Sequence, residues 1–180
     1  MRRGLVSSKA EARSSASGSA PAFPSPAPKT RLVLEEALVG RTICEGLFVN
    51  RFTGGETTFS VAIDGTWDGA VLTLVEDFAF GDGSKERKTW RMAKIGDGVY
   101  RGTREDVIGA ADVRQDGNGV RLDYHVTLAT AMGPLAVRFQ DLLTLDVEGV
   151  IVNRAVVTKF GVRVGRVELL MRRVGAQSRI

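Results

Sequence analysis

The feature that most constrains this chain is a regular series of turn signals between segments that alternate apolar and polar residues. The turns contain Gly54-Gly55, Asp68-Gly69, Asp82-Gly83, Asp97-Gly98, Asp116-Gly117-Asn118-Gly119, Gly133-Pro134 and Glu148-Gly149. Asp-Gly between two alternating segments favours a tight hairpin, because both turn positions favour positive φ. The segments between turns run about ten residues, longer than the usual strand of five or six. The pattern therefore predicts an antiparallel meander of long strands.

Each of these segments has one apolar face. In one of the clearest segments, the apolar face is formed by Val120, Leu122, Tyr124, Val126 and Leu128, and the opposite face by Arg121, Asp123, His125 and Thr127. One apolar face per strand, over nine or ten strands with short turns, is what an up-and-down barrel requires, and closure removes exposed edges. We predict an all-β, up-and-down antiparallel barrel of about eight to ten strands, wide enough for one small ligand. A two-sheet sandwich is the alternative.

A different period precedes the first strand. Leu32, Glu35, Glu36 and Val39 have helical spacing, and Gly40 suits the end of a helix. The sequence therefore predicts one short N-terminal helix, acting as a plug or lid against the sheet.

Composition divides the chain into three parts. Residues 1–29 are rich in Ser, Ala and Pro, which predicts a disordered tail. Residues 30–174 form the predicted barrel domain, and residues 175–180 a flexible C-terminus.

The net charge of +4 arises in the tail, which has five basic residues and one acidic residue. The remaining residues carry equal numbers of acids and bases, so we predict no nucleic-acid partner.

Targeting signals are weak. No apolar run is long enough for a membrane-spanning helix, so no integral membrane segment is predicted. Arg2-Arg3 is not followed by the apolar stretch of a signal peptide, and the tail has no lipobox cysteine. We therefore expect a cytoplasmic protein, with peripheral membrane attachment as the alternative.

With Cys44 and His125 as the only residues of their types, we predict no zinc site, no metal and no cofactor. Cys44 is expected to be buried and His125 exposed.

Several stretches carry a resemblance to a known family. They are Gly46-Leu47-Phe48-Val49-Asn50-Arg51-Phe52, Gly65-Thr66-Trp67-Asp68-Gly69, Glu76-Asp77-Phe78, Arg87-Lys88-Thr89-Trp90, Asn153-Arg154-Ala155 and Lys159-Phe160-Gly161-Val162-Arg163-Val164-Gly165. Together they resemble the bacterial domain of unknown function 3833 family over about residues 31–173. The resemblance implies a lipocalin-like barrel and, for many members, a lipoprotein, although this chain lacks the lipobox cysteine. It implies no catalytic residues.

Two carboxylates stand out because they fall on apolar faces. Asp141 shares its parity with apolar neighbours in one strand, and Glu76 does so in another. A buried carboxylate is costly unless it is paired and hydrogen-bonded, so both need partners. The candidate partners are Arg154, Lys159 and Arg163. The alternatives are a structural ion pair, a polar anchor for a ligand, a catalytic acid/base pair, and a β-bulge that turns one carboxylate outward.

Large aromatic side chains complete the candidate site, although core packing is the alternative role for each. Ligand pockets are mostly apolar, with a few placed polar groups. Trp67, at a strand end, is expected to cap one mouth of the barrel. The candidate ligand-binding residues are Phe48, Trp67, Glu76, Trp90, Tyr124, Asp141, Arg154, Lys159 and Arg163. No catalytic residue is assigned.

Three functions fit this pattern. The first is non-catalytic binding of a small hydrophobic or lipid-derived molecule, such as a fatty acid. The second is an isomerase or cyclase that acts on a lipid-like substrate through an interior carboxylate. The third is a filled barrel that acts through its surface as an assembly partner. An interior cavity favours the first two, and a carboxylate of strongly raised pKa within it favours the second.

Overall fold

The computed structural model describes residues 30–130 and 133–175. The prediction of a disordered tail at 1–29 lies outside these residues, as does that of a flexible C-terminus at 175–180 apart from residue 175. The described chain has one helix and ten strands. They are α1 Leu34–Ala37, β1 Gly40–Asn50, β2 Glu56–Trp67, β3 Val71–Phe80, β4 Lys85–Gly96, β5 Val99–Thr103, β6 Ala111–Asp116, β7 Gly119–Thr130, β8 Gly133–Leu145, β9 Ile151–Lys159 and β10 Val162–Arg173.

The ten strands form a closed barrel. Each strand pairs antiparallel with the next in the chain, and β1 pairs with β10 to complete the ring, with Cys44 opposite Met171. The predicted up-and-down antiparallel barrel is therefore confirmed, and the sandwich is not formed. Closure pairs both edges of the meander, which removes the open strand edges that promote aggregation. Cys44 is buried and His125 is exposed, as predicted.

The N-terminal segment closes one end of the barrel, here called the plugged end. Helix α1 is shorter than the predicted helical segment, and its last turn ends at Leu38. Gly40 does not cap it. It adopts a left-handed φ of 96° and begins β1. Leu34 and Leu38 are fully buried, and the Leu32 amide donates to the Asn118 carbonyl at 2.8 Å across the barrel end. The predicted plug is therefore present.

One glycine makes this closure possible. A Cβ atom on Gly65 of β2 would lie 1.8 Å from the carbonyl oxygen of Leu38. Only a residue without a side chain allows the plug backbone to approach the strand this closely.

Glu35 fixes the plug to the wall. Its carboxylate accepts hydrogen bonds from the Lys94 ammonium, at 2.5 Å, and from the Tyr100 hydroxyl. Burial by itself raises the pKa of Glu35, but these hydrogen bonds outweigh it and lower the pKa below its usual value. The plug is thus held by a charged contact as well as by its buried leucines.

Two short strands lie between β4 and β7. Strands β5 and β6 have only five and six residues, and the loop 104–110 that joins them continues the barrel wall beyond their ends. The Thr127 amide donates to the Asp106 carbonyl at 2.9 Å, and the Thr89 amide donates to the Glu105 carboxylate at 2.8 Å. This loop, here called the β5–β6 loop, carries Arg104 into the barrel.

Candidate functional site

A cavity of about 260 Å³ lies inside the barrel. Leu34 and Leu38 of the plug line its closed end. Toward the other end it is lined by Phe59, Phe78 and Phe80, whose ring centroids lie 6.1–6.3 Å apart. Apolar side chains from β2, β3, β4 and β7–β10 form most of the remaining wall. The site is therefore an apolar chamber with a small number of polar groups.

An ion-pair cluster occupies one side of this chamber. The Arg104 guanidinium lies 3.3 Å from the Glu76 carboxylate and 2.7 Å from the Asp106 carboxylate. The Lys88 ammonium contacts Asp106 at 2.8 Å and Glu86 at 3.0 Å. Arg104 and Glu76 are each only 11% exposed, so water screens their attraction weakly. Both cations are therefore already paired.

Aromatic rings hold Arg104 in position. Its guanidinium carbon lies 4.7 Å from the centroid of the Trp90 ring and 5.8 Å from that of Tyr124. Trp90 meets Tyr124 edge to face, with centroids 5.2 Å apart, and Tyr124 stacks on Phe139 at 5.6 Å. These contacts are typical of cation–π and aromatic packing. They fix the charged cluster against a rigid wall.

A second polar group, Asp141, faces the chamber from β8. The Tyr124 hydroxyl donates to its Oδ2 atom at 2.9 Å, and the residue is only 4% exposed. Its Oδ1 atom accepts no well-aligned hydrogen bond from the described residues, although the polar side chain of Asn153 lies close enough to favour the ionised carboxylate. Oδ1 of Asn153, which also lines the cavity, likewise accepts no well-aligned hydrogen bond from these residues. The chamber therefore contains two acceptor atoms that the protein itself leaves unpartnered.

Burial changes the acidity of these groups. It raises the pKa of Glu76 to about 7, although the charge of Arg104 opposes the rise. It raises the pKa of Asp141 to about 6, against the hydrogen bond from Tyr124, the charge of Arg104 and the polar side chain of Asn153. The buried Cys44 thiol has its pKa raised to about 12, so it is not a reactive thiolate at neutral pH.

Four of the nine candidate ligand-binding residues line the cavity. They are Glu76, Trp90, Tyr124 and Asp141. Phe48 and Trp67 pack against the core without lining the cavity, and Trp67 lies where β2 ends, at the plugged end. The structure thus brings together the two predicted carboxylates and two of the predicted aromatic residues.

The three candidate cations lie elsewhere. Arg154 is exposed and contacts Glu168 of β10 at 3.6 Å. The Lys159 ammonium lies 5.2 Å from the centroid of the Phe160 ring, and Arg163 is exposed. Neither carboxylate pairs with any of the three, because Arg104 lies beside Glu76 and the Tyr124 hydroxyl is the donor to Asp141.

Sequence reasoning missed four polar residues of the wall. Lys88 and Asn153 share the parity of buried neighbours in their strands, so alternation could have found them. Arg104 and Asp106 lie beyond the end of β5, in the β5–β6 loop. They continue the parity of the buried Tyr100 and Gly102, so the same alternation could have found them.

Within 30–130 and 133–175, no group of three or more His, Cys, Asp or Glu side chains is placed to hold a metal ion. No helix in these ranges is long and apolar enough to cross a membrane.

This apolar chamber with a few polar groups, inside a closed up-and-down barrel, defines a class of small antiparallel barrels with an interior cavity. The chain belongs to the family described as protein of unknown function DUF3833, which matches residues 17–173. No curated protein matches it. Among solved structures, it is similar to a redesigned beta barrel, mFAP1, bound to DFHBI. The identity is 11%, the TM-score is 0.40, and the match covers 77% of this chain and 97% of that one.

Proposed function

We propose that this protein binds a small hydrophobic molecule inside its barrel without altering it chemically. The observation that carries the proposal is the interior chamber of about 260 Å³, which is apolar except for the ion-pair cluster and the side chains of Asp141 and Asn153. An engineered apolar cavity of about 150 Å³ already binds benzene, and drug-sized ligands occupy about 300 Å³ or more. The size therefore suits a single ring system or a short chain.

The experiment that tests this proposal is identification of a retained ligand. The full chain is purified and examined by native mass spectrometry, and bound species are extracted into organic solvent and identified. A hydrophobic species in near-stoichiometric amount is the expected result. A ligand-free mass, together with failure of small hydrophobic probes to bind in calorimetry, would overturn the proposal and favour a barrel that acts through its surface.

A substitution that fills the chamber provides the structural test. Ala155 is buried, lines the cavity and lies opposite Asp141. Ala155→Leu is expected to reduce bound ligand at least tenfold, because the larger side chain takes ligand space. The matched control is Ala136→Leu on β8, where the side chain is exposed. Equal ligand retention by both variants would contradict binding in this chamber.

A second candidate function is proton-transfer catalysis on the same kind of molecule. One observation favours it: the carboxyl of Glu76 lines the chamber with its pKa raised to about 7, which suits a general base at neutral pH. The extracted ligand would be incubated with the protein in deuterium oxide. Incorporation of deuterium at a carbon atom, lost in Glu76→Gln, would favour catalysis. No incorporation would favour binding alone.

A further inference from the structure

We propose that the ligand of this chamber carries a hydrogen-bond donor at its polar end, best a protonated primary amine, accepted by Oδ1 of Asp141 and Oδ1 of Asn153. The inference rests on the proposed binding function and adds the chemical class of the ligand to it. It also distinguishes this class from a fatty acid.

The first support is the charge of the wall. The charged side chains that line the chamber are Glu76, Asp106, Asp141, Lys88 and Arg104. With all five ionised, the wall carries one net negative charge. Protonation of Glu76 would bring the wall to neutrality without freeing a cation, because Arg104 would still contact Asp106. A carboxylate head would therefore find no unpaired positive charge here, whereas an ammonium would meet Asp141.

The second support is the pair of unpartnered acceptors. Asp141 lies opposite Ala155 of β9, and Asn153 is two residues from Ala155 on the same face. The two side chains are therefore diagonal neighbours, within reach of one small group. A buried acceptor without a donor costs free energy, so a ligand that donates to both removes that cost. A carboxylate or an ether, which has only acceptor atoms, would leave both unsatisfied.

The test compares three probes that share one hydrocarbon chain and differ only in the head group. Octylamine, octanol and sodium octanoate are titrated into the full chain at pH 7.5 by isothermal titration calorimetry. The expected order of affinity is octylamine, octanol, octanoate, with octylamine at least tenfold tighter than octanoate. Octanoate binding as tightly as octylamine, or more tightly, would overturn the head-group inference and leave the binding function intact. Failure of all three to bind would overturn the proposed function itself.

Variants then locate the acceptors. Asp141→Asn keeps an oxygen that can accept from Tyr124 and removes the negative charge, so octylamine affinity is expected to fall at least tenfold while octanol affinity changes less than threefold. Asn153→Leu removes the second acceptor and is expected to weaken both probes. The matched control is Asp112→Asn, at an exposed carboxylate of β6. Unchanged octylamine binding in folded Asp141→Asn would contradict the assignment. The order of affinities of the three probes for the unaltered protein tests the head-group preference independently of any variant.

Discussion

At the scale of single residues, Arg104 is the cation that pairs with the acidic side chains inside the barrel. It contacts Glu76 and Asp106, lies on the Trp90 ring and is only 11% exposed. Each buried charge near it would be costly alone, and the pairing makes the cluster tolerable. Its role is therefore to permit acidic groups inside an apolar barrel.

Arg104→Ala is expected to lower the free energy of unfolding by about 3–5 kcal/mol, because it leaves Glu76 without its principal partner in a dry environment. Urea denaturation followed by circular dichroism measures the change. The control is Arg101→Ala on β5, whose exposed side chain lies 4.0 Å from Asp112. That substitution should cost less than about 1 kcal/mol. Similar losses in the two variants would show that burial of the pair is unimportant.

The pH dependence of stability follows from Glu76. Its pKa is about 7 when folded and near 4.5 when exposed, so the folded state binds more protons between these values. Stability from this group is therefore present below pH 4.5 and is lost as the pH rises toward 7 and above. From pH 5 to pH 8, Glu76→Gln should become more stable relative to the unaltered protein by about 2–3 kcal/mol. Urea titrations of both proteins at the two pH values measure this difference, and parallel pH profiles would contradict it.

At the scale of elements, the plug and the β5–β6 loop depart from the simple meander. The plug closes one end through buried Leu34 and Leu38, and Glu35 attaches it to β4 and β5. The β5–β6 loop replaces strand pairing in part of the wall and delivers Arg104. Both are short segments outside the strands, and together they provide the closed end of the chamber and two members of its ion-pair cluster, Arg104 and Asp106.

Gly65→Ala should displace the plug, because the new Cβ would lie 1.8 Å from the Leu38 carbonyl oxygen. We expect a loss of about 1–3 kcal/mol, as for other overpacked sites. Thermal unfolding measures it, and amide hydrogen exchange at residues 32–38 reports loosening of the plug. Gly81→Ala is the control, because its nearest neighbour would be 3.8 Å away. A Gly65→Ala protein as stable as this control would contradict the close approach.

At the scale of the whole molecule, closure between β1 and β10 is the organising contact. Residues near the two ends of the barrel domain meet there, from Thr42 opposite Arg173 to Asn50 opposite Gly165. The paired residues are far apart in sequence, so closing the ring costs more chain entropy than forming a hairpin between neighbouring strands. All ten strands, and the chamber they enclose, belong to residues 40–173.

A chain of residues 30–175 is therefore expected to fold by itself. We predict a free energy of unfolding within about 0.5 kcal/mol of the full chain, because every strand pairing and the plug are retained. Urea denaturation and octylamine titration of both proteins provide the measurement. A large loss in the shorter chain would show that residues 1–29 or 176–180 contribute to the barrel and would move the proposed domain boundary.

The sequence predicted the regular part of the fold well. Alternation in β7 and Asp-Gly turns specify strands and hairpins locally, since each depends on neighbouring residues alone. Parity also placed Glu76 and Asp141 on interior faces, and both line the chamber. The partners of these carboxylates were not predicted correctly. Arg104 lies just beyond the end of β5, where it continues the buried parity of Tyr100 and Gly102, whereas Arg154 has the outward parity of its strand.

What the sequence alone determined is therefore the all-β class, a strand number between about eight and ten, and which face of each strand is apolar. What only the tertiary structure decided is the content of the chamber: which cation meets Glu76, which hydroxyl meets Asp141, and which acceptors stay unpartnered. The physical reason is that strand period and turn conformation are local properties of the chain. Ion pairs and hydrogen bonds require that the nitrogen or oxygen atoms of two groups lie within about 3–4 Å of each other. That distance is set by the register between strands and by the path of the β5–β6 loop.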